Sequence, residues 1–327
     1  MELIFAYQEW PYKEVFRISR SDNSTSNLFV VWLKQDGYVG RGECSILSQY
    51  GHTAEDVKSG FEDAARRLMS SADLRAWVRE TPSTSVRNAL DCALWDLRCK
   101  QEDRTIWDLT GVPFRPSVSV DLTISVNPID KMCLDARAAA AAGYSLLKLK
   151  ANADQVVEKV AAIAKAVPGA KFIVDANEAW DLQILQRMDA DLHALGVVLI
   201  EQPLHHTSDD GLRDYRGPIP ICADESCHAG SDLADLSRKY QAINIKLDKV
   251  GGLTGGLEMA RAAKSLGMGL MVGCGGPTSL GVAPAYVIAT LADFVDLDGP
   301  ALMLDDRAFP VQYREGRLHA FSRDLWG

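Results

Sequence analysis

KFIVDANEAWDLQILQRMDADLHALGVVLIEQP, residues 171–203, reads as one strand, one helix and a second strand. Phe172–Val174 and Val197–Ile200 are short apolar runs, and each is followed at once by a carboxylate, Asp175 or Glu201. Two such runs separated by a helix-length stretch predict parallel strands joined by a crossover helix. The unit repeats in both directions. Strands are expected at 118–126, 145–150, 171–176, 197–202, 220–224, 242–247, 268–273 and 293–297. Stretches such as PIDKMCLDARAAAAAGY (128–144) and GGLTGGLEMARAAKSLGM (251–268) are helical in composition, and the alanine run 138–142 is a helix face. Eight alternations predict a parallel (β/α) barrel of the TIM type.

Strand phase says more than strand number. Side chains two apart share a face. Leu147 and Leu149 oppose Lys148 and Lys150; Phe172 and Val174 oppose Asp175 and Asn177. Ile243, Ile245 and Leu247 oppose Asn244, Lys246 and Asp248, and Val295 and Leu297 oppose Asp296 and Asp298. The outer face of a barrel strand must meet the apolar side of the helices, so the polar sets are expected to point inward. They lie late in their strands, at the mouth where such barrels carry active sites. Burying this many charges is costly unless they pair with one another, a metal or a ligand.

The first hundred residues have another texture. LIFAYQEW (3–10) and NLFVVWLKQDGYVGRGEC (27–44) read as antiparallel strands with Asp36-Gly37 at a turn. Residues 53–75 and 84–102 read as helices; Val86, Leu90, Ala93, Leu94 and Leu97 make an apolar stripe, and Trp95 and Trp107 are expected in the core. Gly111, Pro113 and Pro116 mark a boundary. At 327 residues the chain has length for one large and one smaller domain. A formal charge of −9 argues against nucleic acid and anionic membrane as partners. Seven cysteines without a CxxC pair read as free thiols of a reducing cytoplasm. No membrane-spanning run and no signal peptide is expected.

The inward carboxylates Asp175, Glu201 and Asp224 suit one Mg²⁺, a hard cation with oxygen ligands, and no histidine lies at these strand ends to favour zinc. Each acid taken alone reads equally well as a strand end or helix cap. Lys150 and Lys246 stand on different strands, where they can flank whatever the cation holds. Removing a proton next to a carboxylate needs stabilisation of an enediolate, which a metal supplies, and a lysine whose basicity neighbouring cations lower. Lys150 and Lys246 are the expected acid/base pair, with Lys148 assisting electrostatically. A KxK taken alone is more often a solvated strand end.

Together, KLK (148–150), VDAN (174–177), EQP (201–203), ADES (223–226) and NIKLDKVGG (244–252) resemble the muconate-lactonizing subgroup of the enolase superfamily. The likeness covers nearly the whole chain, including GRGEC (40–44) and ALDCALWDL (89–97). It implies a modified (β/α)7β barrel with an α+β capping domain: cap at 1–112, barrel at 113–300, and a tail at 301–327 that returns to the cap. It also implies one Mg²⁺ on Asp175, Glu201 and Asp224, with Lys150 and Lys246 as the two catalysts.

Within that subgroup, Asp296-Leu297-Asp298 resembles the DxD pair of dipeptide epimerases of the L-Ala-D/L-Glu type, which receives a substrate's ammonium. The charge match gives the physical reason. The other reading of these acids is a cap on the turn before Gly299-Pro300. Arg20 resembles an arginine that receives a side-chain carboxylate, although it and Arg17 could equally be solvated strand-edge charges. Thr123 and Gly275 are expected beside the substrate, the loop SQYGHT (48–53) over it, and His52 on the surface. GCGGPTSLG (273–281) is small at Gly275, Gly276 and Pro277, where the subgroup often has bulkier residues, which would admit a larger or different N-terminal residue; it lacks the GKS/T of a phosphate loop.

The implied activity is Mg²⁺-dependent inversion of a dipeptide's C-terminal α-carbon by two-lysine 1,1-proton transfer. The alternatives are a muconate cycloisomerase or o-succinylbenzoate synthase-type lyase, which needs no amino terminus, and a Schiff-base aldolase, which needs no metal. Expected partners are a small dipeptide and, by resemblance, further copies of the chain.

Overall fold

The computed structural model describes residues 1–18, 21–69 and 73–327. The chain opens with an antiparallel sheet of β1 (Glu2–Ile18), β2 (Ser21–Gln35) and β3 (Tyr38–Ser45). Gln35 pairs with Tyr38 across Asp36 and Gly37, whose φ angles of 52° and 83° are those of the two-residue turn the Asp-Gly pair predicts. Helices α1 (Ala54–Met69), α2 (Leu74–Glu80) and α3 (Thr84–Glu102) follow. Phe29, Val31 and Leu33 of β2 pack with Val57 and Phe61 of α1 and with Val86, Leu90 and Leu97 of α3. Gly40 and Gly42 let α3 lie directly on β3: a Cβ at either would stand 2.1 Å from Ala93 O or 1.9 Å from Ala89 O.

After α4 (Ile106–Thr110) and the short β4 (Ser117–Ser119), the barrel runs β5 (Leu122–Ile124), α5 (Ile129–Ala141), β6 (Leu146–Lys150), α6 (Val156–Ala166), β7 (Lys171–Asp175), α7 (Leu182–Ala194) and β8 (Val197–Glu201). It continues with β9 (Ile221–Ala223), α8 (Leu233–Leu236), β10 (Ala242–Ile245), α9 (Leu247–Val250), α10 (Leu253–Ser265), β11 (Gly269–Gly273), α11 (Ser279–Ala289), β12 (Phe294–Asp296) and α12 (Gly299–Leu302). The eight strands β5 to β12 lie parallel in sequence order. At the seam, the Asp121 amide donates to Val295 O at 3.0 Å, bringing the first strand to the last.

The expected phase holds through the strands. Ile173, Leu199, Cys222, Ala242 and Met271 form a small apolar plug inside the barrel. Leu147, Leu149, Val174, Ile243 and Ile245 face outward into the main core with the helices. Each such buried side chain contributes about 1.5–3 kcal/mol relative to exposure. The plug fills the floor and leaves the later inward positions for polar groups.

Two expectations need correction. Residues 118–126 are not one strand: β4 pairs with β14 and β5 with β6, and the chain changes partner at Val120 and Asp121. Asp248 does not share a face with Lys246, because the strand stops at Ile245 and Lys246 is the N-cap of α9. The helical turn swings Asp248 under the cap, where it accepts from Asn88 Nδ2 at 2.7 Å and Ser45 N at 3.1 Å.

The last residues add β13 (Tyr313–Arg314) and β14 (Arg317–His319). Trp326, fully buried, donates its indole N–H to Arg41 O and Cys92 O at 3.1 Å each. The Gly327 amide meets Asp96 Oδ1 at 2.8 Å. Among the described residues no helix is long and apolar enough to cross a membrane.

Candidate active site

The inward phase carries the second half of β6, the last residue of β7 and of β8, and the residues just after β9 and β10 to one end of the barrel. Lys150 Nζ donates to Asp175 Oδ2 at 2.6 Å. Lys148 Nζ lies 3.1 Å from Asp175, 2.6 Å from Glu201 and 2.7 Å from Asp296. Lys246 Nζ donates to Asp224 Oδ2 at 2.7 Å, and Lys249 Nζ takes Asp224 Oδ1 at 2.5 Å. Asn244 Nδ2 holds Glu201 Oε1 at 2.7 Å. Asp175, Glu201, Asp224, Lys148 and Lys150 are all buried.

Gln202 locks the ends of β8 and β9 together. Its Oε1 accepts from Asp224 N at 2.9 Å and Ser226 N at 3.1 Å, and its Nε2 donates to Leu204 O at 2.9 Å. The residue sits at φ 35°, a left-handed conformation that a side chain so well bonded can enforce. Asp224 therefore leaves its strand from a fixed backbone position.

The charge balance follows from burial. Burial, then Asp175, pushes Glu201 up to about 7. Burial would raise Asp175 as well, but Lys150 and Lys148 hold it below the usual carboxylate range. Lys246 and Lys249 do the same for Asp224. Burial is the largest influence on Lys246 and opposes its charge, yet Asp224, Glu201 and Glu225 together raise the ammonium above its ordinary value. The expected lowering of lysine basicity counts a divalent cation among the neighbours; with carboxylates as neighbours the balance runs the other way.

Do these residues fit a metal? The three acids offer only oxygen, on consecutive strands, at full burial, which suits Mg²⁺. Glu201 Oε2 has Lys148 beside it but receives no directed hydrogen bond. Such a charge-balanced oxygen without a donor can turn to a cation. The lysines stand between the acids, and among the described residues Asp175, Glu201 and Asp224 do not bring one oxygen each within 4.8 Å of one another. The donor set fits Mg²⁺.

Between the barrel mouth and the cap lies a cavity of about 660 Å³. Lys150, Lys246, Asp224, Asp296, Asp298 and Thr123 line its barrel side. Tyr12, Asn23, Ser26, Ser48 and Tyr50 line its cap side. Both lysines of the expected pair, from β6 and from the end of β10, thus reach one space. A wider groove of about 890 Å³ on the cap, lined by Asp63, Arg66, Trp77 and Glu80, lies away from the strand ends.

Asp296 and Asp298 sit together at the end of β12, both buried. Asp298 is the N-cap of α12, but its side chain makes no cap hydrogen bond. Its Oδ2 instead accepts the Thr123 amide at 2.7 Å. Burial, then Asp296, pushes Asp298 up to about 6. Thr123 therefore has two relations to the site, as a cavity wall and as a support for Asp298.

Gly275 lines the cavity, and a Cβ there would meet Ser45 Oγ at 3.3 Å. Ser26 Oγ donates to Gly276 O at 2.5 Å, tying this loop to the cap. Tyr50 OH donates to Glu225 O at 3.3 Å, so the 48–53 segment does cover the mouth, and His52 is a half-buried lining residue there. Arg20 lies outside the described residues. Arg17 is turned to Asn127 Oδ1 at 3.1 Å and Asp22 Oδ2 at 3.3 Å.

Three residues that sequence reading passed over belong here. Lys249 is a second cation on Asp224; the helical turn at α9 hid it from a strand-phase argument. Tyr12 reaches the cavity from the cap, and nothing in its local sequence marks it. Asp121 lies beneath Asp296 and Asp298, and its two-residue spacing from Thr123 was the signal available.

Residues 1–111 match the mandelate racemase / muconate lactonizing enzyme N-terminal domain, and residues 131–322 match the enolase C-terminal domain-like family. The chain is 37% identical over 320 residues to the L-Ala-D/L-Glu epimerase of Escherichia coli K12, covering 98% of this chain and 100% of that one. It is 37% identical over 304 residues to an N-acetyl-D-glutamate racemase of a Pseudoalteromonas species, covering 92% and 95%. An Agrobacterium tumefaciens enolase family member with homology to dipeptide epimerases, solved with sodium and L-Ala-L-Glu, superposes with TM-score 0.94 at 36% identity over 99% of both chains. A Methylococcus capsulatus dipeptide epimerase, solved with Mg and L-Arg-D-Lys, superposes with TM-score 0.92 at 27% identity over 99% and 98%. On both its halves, this chain belongs to the mandelate racemase / muconate lactonizing enzyme family of the enolase superfamily.

Proposed function

We propose that this protein is a Mg²⁺-dependent dipeptide epimerase, an isomerase that inverts the α-carbon of a dipeptide's C-terminal residue. One observation carries the reading. Two lysines, Lys150 on β6 and Lys246 just after β10, line a single cavity together with the acids Asp296 and Asp298. A pair of bases serves inversion, since one must take the proton and the other return it. A pair of acids serves a substrate with an amino terminus.

In this reading Asp175, Glu201 and Asp224 hold Mg²⁺. When bound, the ion supplies a Lewis acid that acidifies the carbon next to a carboxylate. Lys150 Nζ or Lys246 Nζ takes the α-proton, according to the configuration presented. The other lysine, protonated, delivers a proton to the opposite face, and the two exchange roles for the opposite substrate. Lys148 supplies fixed positive charge below the reacting carbon and is not itself exposed to the cavity. Asp296 and Asp298 orient the dipeptide through its ammonium. The cap (1–112) excludes water, the barrel (113–300) carries the chemistry, and the tail (301–327) ties the two together.

Substrates of the L-Ala-D/L-Glu class are supported by the relatives' names and by the polar cap wall, where Asn23, Thr25 and Asn27 meet the cavity. An N-acylated amino acid has no ammonium to meet Asp296 and Asp298. The test is racemisation assayed side by side on L-Ala-L-Glu and on N-acetyl-glutamate. Preference for the dipeptide supports the proposal, and preference for the acylated amino acid refutes it.

A further inference from the structure

Asp121 has no role in the reading above, yet it is among the least accommodated groups in the protein. It is fully buried, and neither carboxylate oxygen receives a hydrogen bond. One oxygen each of Asp121, Asp296 and Asp298 lie within 4.8 Å of one another. The donors at this cluster go elsewhere. Lys148 Nζ lies 2.7 Å from Asp296 Oδ2 but is shared with Glu201 and Asp175. The Thr123 amide serves Asp298 Oδ2.

Three ionised carboxylates at this spacing, with one divided lysine, would leave a buried charge uncompensated. A proton removes the conflict. It belongs on the member whose ionised form has no donor. Asp296 and Asp298 each have one; Asp121 has none and lies deepest, outside the cavity lining. We propose that Asp121 is a positioning residue: a neutral carboxylic acid that donates its O–H to the Asp296–Asp298 pair, keeping both acids ionised and in place for a substrate's ammonium. This rests on the epimerase reading.

The surroundings agree. Burial, followed by Asp296 and Asp298, raises Asp121 well above the usual carboxylate range, and Lys148 only partly opposes them. The titratable groups facing it are Asp296 and Asp298 from the end of β12, Lys148 from β6, Glu201 from β8 and Tyr144 before β6. The backbone fixes its place: the Asp121 amide is bonded to Val295 O, one residue before Asp296.

Two variants separate a donated proton from a negative charge. Asp121→Asn keeps the shape and an N–H donor. Asp121→Leu keeps the volume and removes the donor. With Mg²⁺ present, Asp121→Asn is expected to turn over dipeptides within about threefold of wild type, and Asp121→Leu to raise their KM about tenfold or more with a smaller change in kcat. Mg²⁺ affinity, measured by calorimetry, should be unchanged in both. Equal impairment of the two variants would overturn the proposal, and so would normal KM in Asp121→Leu. An infrared difference spectrum, wild type minus Asp121→Asn at about pH 8, decides the same point without substrate. It should contain the carbonyl stretch of a protonated carboxyl; carboxylate bands alone would refute the idea. If wild type epimerises no dipeptide, the epimerase reading fails while the infrared result still settles the state of Asp121.

Discussion

Glu201 and Asp296 share one ammonium group: Lys148 Nζ lies 2.6 Å from the first and 2.7 Å from the second. One belongs to the proposed metal set and the other to the proposed ammonium set. Lys148 is thus the electrostatic joint of the site, and this explains a fully buried lysine beneath a cavity it does not line. Its value lies in what its removal would expose, since a carboxylate stripped of its buried partner is costly.

Lys148→Met should therefore lower stability in metal-free buffer by about 3–5 kcal/mol, the range for breaking a buried ion pair. Mg²⁺ should restore more stability to this variant than to wild type, because the ion replaces the missing positive charge. Thermal melts with and without Mg²⁺ check this. An unchanged melting temperature would mean that Lys148 compensates nothing.

Lys150→Ala and Lys246→Ala should each abolish epimerisation, with losses of about 10²–10⁴-fold, the usual worth of a general acid or base. Each should still exchange the α-proton of the one configuration that faces the remaining lysine. Proton NMR in D2O on separate L,L and L,D dipeptides reads this directly. Exchange of both configurations by either variant would contradict the two-base assignment.

Asp248, buried between the barrel and the cap, makes a pH prediction for stability. Burial pushes its carboxyl up to about 6, against hydrogen bonds from Asn88 and Ser45 that lower it. The ordinary value is about 3.9. A group raised on folding stabilises fully below its unfolded value and loses that contribution as pH rises through the folded one. Its share of stability should therefore fall between about pH 4 and pH 6, by about 3 kcal/mol. The Asn88 amide and the Ser45 backbone N–H both donate to Oδ1, which an asparagine keeps. Asp248→Asn should match wild type near pH 4 and exceed it near pH 8 in denaturant melts. A variant less stable than wild type at pH 8 would show that the charge is used.

The glycine loop after β11 sets the shape of the cavity. Gly276 has φ 75°, and a Cβ would stand 2.3 Å from Tyr12 OH. Gly276→Ala should cost about 1 kcal/mol or more from the left-handed backbone alone and displace Tyr12. At Gly275 a Cβ meets only Ser45 closely, so Gly275→Met should be accommodated and should narrow the range of accepted N-terminal residues. A substrate profile identical to wild type would show that this loop does not shape specificity.

Much of this site was legible because strand alternation is a strict rule. Lys148, Lys150, Asp175 and Glu201 occupy inward positions that a period of two assigns without further knowledge. The rule failed where the strand ended early. Alternation puts Asp248 with Lys246, but the chain turns helical at Leu247, and the same turn conceals Lys249. Asp121 escaped for a different reason. Its meaning comes from Asp296 and Asp298, which the barrel seam brings beside it across more than half the chain. Nothing local in VDLTI announces that closure. The cap residue Tyr12 shows the same limit, since a contact made between two layers leaves no period in either.

The most direct measurement is α-proton exchange in D2O with Mg²⁺ across a library of L,L-dipeptides, read by mass shift. The account predicts deuterium at the α-carbon of the C-terminal residue, strongest for dipeptides of the L-Ala-L-Glu class. No exchange on any dipeptide by metal-loaded protein would contradict it and return the site to lyase or N-acyl amino acid chemistry.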